Sequence, residues 1–376
     1  MDVWQTHPWV REGAGKIRFG VQVTARAAEV DWPTRRALAQ AVDALGFDSL
    51  WVPDHPAFLT DPWTALAAYA TATSRVRLGP MVSCVAHRSP LMTARLAADV
   101  DRLSGGRLVL GLGAPRAGWF EPELRFMGLG GVPHPGVRLA ALLQTLADVR
   151  RYWSGEPVRL AKGRLAGEAL RWPPVQRPRV PILIGGTGDQ VTVRRVAEHA
   201  DMCNFEEVRA KTAEEVGQKL GVLRRLCEAV GRPYDSMIKS YLMNDVVLAT
   251  TRERLDAKIT ALGPLFATDA RRNMGTPRDL IERLRPILAS GIGYVVMNLT
   301  GHDDIETVEL LAKRVVPEVQ GLAASALWQR RSEASMSNRQ ERQAKIPPTR
   351  ERRQRPPAAA GKGSTRARRR SHGRAR

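Results

Sequence analysis

The sequence predicts an α/β fold, a (β/α)8 TIM barrel with insertions, followed by a disordered basic C-terminal tail. Short aliphatic or β-branched runs alternate with longer helical patterns through most of the 376 residues, which is typical of repeated βα units and a parallel sheet. Eight such units can be counted. Closure into a barrel pairs every strand edge, so it is favoured over an open doubly wound sheet, the alternative that this pattern leaves open.

The pattern assigns each strand and helix in turn. Strands are predicted at Ile17–Val23, Asp48–Val52, Val76–Val82, Leu108–Leu112, Val180–Ile184, Met202–Phe205, Met237–Leu248 and Gly293–Leu299. Helices are predicted at Thr34–Leu45, Pro62–Ala72, Pro90–Leu103, Val137–Trp153, Gln190–His199, Ala213–Val230, Pro277–Ser290 and Ile305–Val316. Proline in the first turn and glycine after the last turn mark several of these helices. Three long connections, at 113–136, 154–179 and 249–275, are expected to shape the substrate mouth.

The end of the chain differs in composition from the rest. From about Ala324 the sequence is rich in Arg, Pro, Ala, Ser and Gly and lacks apolar periodicity, so it cannot bury enough surface to order itself. We therefore expect a barrel domain over residues 1–320 and a disordered tail over 321–376. The tail holds +13 of the formal net charge of +20. Its basic residues could contact nucleic acid, but no aromatic residues are interleaved with them, and a solvated extension is the simpler interpretation.

The composition also limits the class of protein. Cys84, Cys203 and Cys227 are too few and too far apart for a disulfide framework or a CxxC site. The seven histidines show no HExxH or HxH spacing, so no metal site is expected. The first 16 residues do not resemble a signal peptide, and no stretch of about 18 apolar residues occurs. We expect a cytoplasmic protein with a small-molecule substrate and no membrane partner; whether it forms a homodimer is left open.

The ends of the strands carry the candidate chemistry, because reactive groups of such barrels lie at the C-terminal face. Asp54 and His55 follow the second strand and bring a carboxylate and an imidazole to the mouth. An imidazole there can act as acid or base, and a neighbouring carboxylate can fix its tautomer. A loop-capping Asp beside an exposed His is the structural alternative.

Three further strand ends carry residues that suggest a ligand. Gly79 and Pro80 within the third strand suggest a bulge or a close backbone approach to a ligand, with a kink in an edge strand as the alternative. After the fourth strand, two acidic residues, Glu121 and Glu123, lie beside aromatic ones. The fifth strand ends in Ile184-Gly185-Gly186-Thr187-Gly188-Asp189 and leads directly into a helix. Small residues at a helix N-terminus let backbone N–H groups converge on an anion, so a phosphate site is predicted, with a tight βα turn that binds no ligand as the alternative.

Several short motifs occur in a characteristic order over Ile17–Val319. They are Phe19-Gly20-Val21-Gln22, Gly46-Phe47-Asp48-Ser49-Leu50-Trp51, Asp54-His55, Leu103-Ser104-Gly105-Gly106-Arg107, Gly111-Leu112-Gly113-Ala114, Gln176-Arg177-Pro178, Ile184-Gly185-Gly186-Thr187-Gly188 and Gly275-Thr276-Pro277. Together they resemble the luciferase-like oxidoreductases (the luciferase-like monooxygenase superfamily), in particular the branch that uses coenzyme F420, a deazaflavin.

This resemblance implies roles for individual residues. Gly185, Gly186, Thr187 and Gly188 would hold the cofactor phosphate, while Gly113 and Ala114 would line the cofactor. His55, with Asp54, would lie at the reactive ring. Met81, Val82 and Ser83 would press against the back of that ring, with a cis peptide bond at Met81–Val82.

Two departures from the family pattern concern the loop after the fourth strand. The segment Gly113-Ala114-Pro115-Arg116-Ala117-Gly118-Trp119 carries an apparent insertion relative to the Gly-Ala-Gly-Trp of many relatives. The usual Glu-His after that tryptophan is Glu123-Leu124, so the acid at that point is expected to be absent or supplied by Glu121.

The predicted function is hydride transfer between F420 and a small organic substrate. An FMN-dependent monooxygenase on the same barrel is the alternative. A nucleic-acid-binding protein acting through its tail is a third hypothesis, which a basic, aromatic-lined groove in residues 1–320 would favour, and the sequence offers no such groove. The substrate itself is not predicted, because the insertions define it and the fold does not.

Overall fold

The computed structural model describes residues 5–24, 31–118, 120–154, 158–159, 169–170, 173–185, 190–262, 272–301 and 303–322. The chain divides into two units, residues 1–327 and 328–376, and every described residue belongs to the first. The predicted domain boundary at residue 320 therefore stays a prediction, and the tail lies outside the described residues from position 323 onward.

A parallel sheet that closes on itself forms the centre of the fold. The strands are β1 Arg18–Val23, β2 Ser49–Val52, β3 Arg77–Pro80, β4 Ser83–Cys84, β5 Leu110–Gly113, β6 Val158–Arg159, β7 Ala169–Leu170, β8 Ile182–Gly185, β9 Met202–Glu206, β10 Ile238–Leu248, β11 Met274–Gly275 and β12 Tyr294–Leu299. Nine of them pair in the order β3-β2-β1-β12-β10-β9-β8-β5-β4, with β11 added beside β10 and with β6 and β7 as a separate antiparallel pair.

The two ends of this order, β3 and β4, are consecutive in the chain and are separated only by Met81 and Val82. They are the two halves of one barrel strand: β3 pairs with β2, and β4 pairs with β5. A parallel bridge also joins Leu78 of β3 to Leu108, two residues before β5. The predicted eight-stranded barrel is confirmed, with its third strand interrupted by a bulge.

Helices cover the outside of the sheet. They are α1 Pro8–Glu12, α2 Trp32–Ala44, α3 Pro62–Ala72, α4 Pro90–Leu103, α5 Phe120–Phe126, α6 Pro135–Trp153, α7 Gln190–His199, α8 Ala213–Ala229, α9 Arg252–Leu262, α10 Pro277–Ala289 and α11 Ile305–Leu310, which continues into a π-helical turn. Start signals in the sequence explain several bounds, since the side chain of Asp61 caps α3 and a Thr276–Asp279 capping box begins α10. Among the helices of the described ranges, none combines the length and apolar character of a membrane span.

The barrel interior is filled by side chains from nearly every strand. Trp51 is completely buried in this inner cluster, which also includes Met81, Val109, Leu183, Met202, Ile238, Leu242, Tyr294 and Val296. Glycine stands next to Trp51 on both neighbouring strands. A Cβ on Gly20 would lie 2.9 Å from the indole nitrogen, and one on Gly79 would lie 2.6 Å from the ring. The indole therefore occupies part of the space that these two side chains would have taken, together with the Ser49 hydroxyl, which would lie 2.2 Å from a Cβ on Gly20.

The short helix α1, which the sequence did not predict, closes the end of the barrel where the strands begin. The Trp9 indole nitrogen donates a hydrogen bond to Oδ2 of Asp48 at 3.1 Å, and the Tyr294 hydroxyl donates to the same oxygen at 2.7 Å. Arg18 pairs with Asp48 at 3.3 Å and donates to the Trp9 carbonyl. The side chain of Trp9 packs within the inner cluster, so α1 is part of the barrel core.

The close packing around Trp51 can be tested with Gly79→Ala. A Cβ at this position would lie 2.3 Å from the Val109 carbonyl oxygen, so the backbone of two strands must shift. We expect the free energy of unfolding to fall by about 1–3 kcal/mol, the usual cost of overpacking. Gly217→Ala is the matched control, because this glycine lies inside α8 and a Cβ added to it would have nothing within 4 Å. The free energy of unfolding of this variant should rise by up to about 1 kcal/mol. Urea unfolding measures both; equal stability of the two variants would contradict the packing argument.

Candidate active site

The bulge between β3 and β4 lies at the mouth of the barrel. The Met81–Val82 peptide bond is cis, as the resemblance predicted. The Gln22 amide nitrogen donates a hydrogen bond to the Met81 carbonyl at 2.9 Å and holds the bulge against β1. Of the three residues predicted to contact a cofactor ring, Met81 and Ser83 are buried and only Val82 is partly exposed. Val82 therefore offers the accessible apolar surface at this point.

Glycines on two neighbouring strands make room for Val82. A Cβ on Gly113 would lie 2.4 Å from one methyl group of Val82, and a Cβ on Gly185 would lie 2.8 Å from the other. Both glycines stand at the ends of their strands, β5 and β8. Two of the predicted cofactor-binding residues are thus next to the bulge. Ala114 follows Gly113 and is partly exposed, whereas Gly186, Thr187, Gly188 and Trp119 lie outside the described residues.

His55 forms the contact with the clearest chemical meaning. Its Nδ1 atom lies 2.8 Å from Oε2 of Glu123, whose side chain is fully buried, while 27% of the His55 side chain is exposed. The other Glu123 oxygen accepts a long hydrogen bond from the Ala57 backbone N–H at 3.4 Å. The Phe120 ring packs against the imidazole with 4.9 Å between centroids. A carboxylate at Nδ1 fixes the tautomer of the ring and leaves Nε2 available.

Glu121, the acid that the sequence analysis named, has other partners. Its carboxylate binds the Arg125 side chain and accepts a hydrogen bond from the Val132 backbone N–H at 2.6 Å. These hydrogen bonds, the Val132 N–H first, lower the pKa of Glu121 below its usual value. The structure therefore brings His55 together with Glu123, and it occupies Glu121 within its own helix and the following loop.

Asp54 does not hold the neighbouring His55 but the segment after the bulge. Its carboxylate is buried and accepts hydrogen bonds from the Cys84 backbone N–H at 2.9 Å, from Arg88 at 2.6 Å and from the Ser83 hydroxyl at 3.2 Å. Burial alone would raise the pKa of Asp54. His87 and Arg88 lower it by more than burial raises it, so the pKa lies below its usual value. Asp54 ties the turn that presents His55 to β4.

His87 is the second imidazole of the site, and the sequence analysis assigned it no role. Its side chain is fully buried and its Nδ1 atom lies 3.4 Å from Oδ1 of Asp54. Burial lowers the pKa of this imidazole, but the Asp54 carboxylate and the Cys84 side chain together more than offset that effect, and the pKa rises to about 10. Arg88 extends the cluster from Asp54 to Asp61. The ring of Phe120 contacts His87 as well, at 6.1 Å between centroids, and so lies against both imidazoles.

The arrangement can hold and move a proton at the mouth of the barrel. A partly exposed imidazole with a fixed tautomer lies near an apolar bulge, while the side chains of His87 and Asp54 beside it are fully buried. Within the part of the chain that the structure describes, no group of three or more His, Cys, Asp and Glu side chains is placed to hold a metal ion. The contact of His55 with the Glu123 carboxylate is an arrangement that can serve as a general acid or base.

The family follows from comparison with known proteins. The sequence profile described as luciferase-like monooxygenase matches residues 16–291. The chain belongs to this family. Among curated relatives, an uncharacterized protein of Mycobacterium tuberculosis strain H37Rv is 29% identical over 193 residues, or 45% of this chain and 66% of that protein. A Mycobacterium bovis protein gives the same values. The chain thus spans slightly less than two thirds of these relatives.

Several solved structures share the barrel fold. The coenzyme F420-dependent tetrahydromethanopterin reductase of Methanopyrus kandleri has a TM-score of 0.64 at 18% identity, over 81% of this chain and 99% of its own. An F420-dependent secondary alcohol dehydrogenase, in complex with an F420–acetone adduct, has the same score and coverage at 19% identity. The FMN-bound oxygenating constituent of a Pseudomonas putida diketocamphane monooxygenase scores 0.63 at 15% identity over 81% and 99%. The luciferase-like chain therefore has the fold of these oxidoreductases and monooxygenases.

The charge of His87 should make stability depend on pH. Its folded pKa of about 10 lies above the ordinary value of 6.5, so protonated His87 stabilises the fold fully below about pH 6.5 and loses this effect as the pH rises toward 10. The difference in free energy of unfolding between wild type and His87→Gln should be largest near pH 6 and should shrink by up to about 1.4 kcal/mol per pH unit above pH 7.

Urea unfolding at about pH 6, pH 8 and pH 9.5 measures this difference. His199→Gln is the control, because burial and Arg150 lower the pKa of His199 and give it no proton to lose in the alkaline range. A His87→Gln difference that stays constant from pH 6 to pH 9.5 would show that His87 is not a buried cation.

Proposed function

We propose that this luciferase-like chain is an F420-dependent oxidoreductase that transfers a hydride between the deazaflavin and a small organic substrate, with His55 as the proton donor or acceptor. The observation that carries the proposal is the 2.8 Å contact between Nδ1 of His55 and the buried carboxylate of Glu123. Membership of the luciferase-like family and the F420-dependent structures among its neighbours support the choice of cofactor.

The residues at the mouth fit a flat, phosphate-bearing cofactor. Val82 gives a partly exposed apolar surface, and Gly113 and Gly185 leave room for its two methyl groups. Ala114 continues this lining, and the loop Gly185–Gly188, which stands before α7, would bind the phosphate as the sequence analysis predicted. When bound, a deazaflavin accepts or donates a hydride. The protein then has to orient the substrate, exclude water and manage one proton.

The His55–Glu123 pair is suited to managing that proton. Since Glu123 accepts the Nδ1 hydrogen, Nε2 of His55 is the atom that can take a proton from a substrate hydroxyl or return one to a carbonyl oxygen. An alcohol that loses a hydride must also lose its hydroxyl proton, and Nε2 would accept it. Phe120 packs on the imidazole and limits its rotation. Asp54, through its bonds to Cys84 and Arg88, would act as a positioning residue for the turn that presents His55.

An FMN-dependent monooxygenase is the second candidate function. It is supported by the FMN complex of the diketocamphane monooxygenase constituent, which is as similar in structure as the F420-dependent enzymes. The same apolar surface and phosphate loop would serve FMN. The two candidates therefore differ in the cofactor that binds more tightly and in the need for oxygen.

Parallel titrations of the full chain with F420 and with FMN, followed by fluorescence without oxygen, separate the candidates. We expect F420 to bind at least about tenfold more tightly than FMN, a difference of about 1.4 kcal/mol. Gly186→Asp should weaken binding of F420, because a carboxylate in the phosphate loop repels the anion. Tighter binding of FMN would support the monooxygenase, and binding of neither would refute both candidates.

Substitution of the proton-handling pair tests the role of His55. With a panel of small alcohols, including isopropanol because a similar structure contains an F420–acetone adduct, reduction of F420 is followed by its absorbance. His55→Ala should lower turnover by about 10²–10⁴-fold with little change in cofactor affinity.

Glu121→Gln and Glu123→Gln are compared in the same assay. The geometry assigns the larger loss to Glu123, whereas the sequence analysis assigned the acid to Glu121. Full turnover of His55→Ala with bound F420 would remove His55 from the proposal without affecting the cofactor assignment.

A further inference from the structure

The geometry points to a second binding site, on the outer side of the barrel wall, for a small organic anion with an apolar body. A cavity of about 340 Å³ lies between β10, the beginning of α8 and the middle of α10. Its volume is within the range of small-molecule pockets, about 300–1,000 Å³. Tyr241, Met243 and Ile287 form an apolar wall, and charged side chains surround it.

This cavity is separate from the site around His55. Side chains along a strand alternate between two faces. On β10, Ile238 and Leu242 point into the barrel and pack with Trp51 in the inner cluster, whereas Tyr241 and Met243 belong to the outer layer beneath the helices. The strand itself therefore lies between the cavity and the barrel interior. The inference stands independently of the proposed function.

Positive charge predominates around the cavity. Lys211, Arg272 and Arg283 contribute three cations to its lining, and Glu207 contributes one carboxylate. In the described part of the chain no other acidic side chain lines it, so the formal charge of the lining is +2. Residues 263–271, which precede Arg272, lie outside the described residues.

The one carboxylate is only weakly paired with these cations. Oε2 of Glu207 accepts hydrogen bonds from the Asn244 backbone N–H at 3.0 Å and from the Asn273 amide at 2.6 Å. Its Oε1 atom lies 4.0 Å from Arg272, at the outer limit of an ion pair. Arg283 donates to the amide oxygen of Asn273 at 3.3 Å, which is a neutral partner. Asn273 thus lies between Glu207 and Arg283. The positive charge of the half-buried Arg283 guanidinium is therefore not neutralised by Glu207 and can attract an anionic ligand.

The ligand class follows from this combination. A guanidinium binds a carboxylate or phosphate through two parallel hydrogen bonds, and a second cation nearby strengthens the contact. The apolar wall requires a hydrophobic body of about the size of one aromatic ring. Phenyl phosphate and benzoate present both features, and they differ in whether the anionic group is a phosphate ester or a carboxylate.

Calorimetric titration of the full chain with phenyl phosphate, benzoate and benzyl alcohol tests the site. We expect saturable binding of one or both anions and no binding of the neutral alcohol. Arg283→Met should weaken the bound anion by about 10–100-fold, the range of a lost charge-assisted hydrogen bond. Arg285→Met on the same helix is the matched control, since Arg285 is paired with Glu282 and Glu318 and does not line the cavity; its affinity should match wild type.

Two further variants keep the test decisive. Arg272→Met should also weaken binding and replaces Arg283→Met if that variant does not melt cooperatively. Gly186→Asp, at the predicted cofactor-phosphate loop, should leave the affinity unchanged, which distinguishes the two anion sites. The proposal is overturned if no anion binds saturably, if both Arg283→Met and Arg272→Met bind as tightly as wild type, or if Gly186→Asp abolishes binding.

Discussion

The limited space inside the barrel is the constraint on which the rest of the structure depends. Protein interiors are closely packed, and inside this barrel the completely buried Trp51 indole lies against both neighbouring strands. The neighbouring strands must then present glycine, as they do at Gly20 and Gly79. The same constraint acts at the mouth of the barrel, where Gly113 and Gly185 leave room for Val82. The bulge reaches the mouth because the strands beside it carry no side chains there.

The two imidazoles of the site differ in their exposure to solvent, although both pack on Phe120. His55 is 27% exposed and is paired with a carboxylate at one nitrogen only, so its other nitrogen can exchange a proton with a bound molecule. His87 is closed to solvent and held among Asp54, Arg88 and Cys84. A proton on His87 neutralises buried charge, and a proton on His55 is available for chemistry. Identical residue types are thus suited to different roles because their surroundings differ.

The sequence predicted the fold well wherever a segment was long and began with a clear signal. The bounds of α3 and α4 were predicted without error, because Asp61-Pro62 and Ser89-Pro90 each place a capping side chain before proline. The third strand was predicted as one segment, Val76–Val82, in which Gly79 and Pro80 suggested a bulge. Its interruption arises from pairing with two different neighbours, which is a property of the closed sheet. Helices α1 and α5 are too short for their periodicity to be visible.

The site was predicted less completely, since its contacts join distant parts of the chain. Asp54 and His55 are adjacent in sequence, and adjacency suggested that they act as a pair. Consecutive side chains of an extended segment point in opposite directions, so Asp54 binds the segment after the bulge while His55 meets Glu123, 68 residues later. That Glu123 rather than Glu121 makes this contact depends on the orientation of α5, a short helix whose register no local pattern defines.

The closing helix α1 gives the two ends of the barrel unequal freedom to change. At the end where the strands begin, the side chains of Trp9 in α1 and Tyr294 in β12 both donate hydrogen bonds to Asp48, which directly precedes β2. A substitution there affects several partners at once. At the opposite end, residues such as Ala114 and Val82 face open space on one side. Variation in substrate preference among descendants of such a chain would accumulate at the open end, while the closed end would retain the same residues.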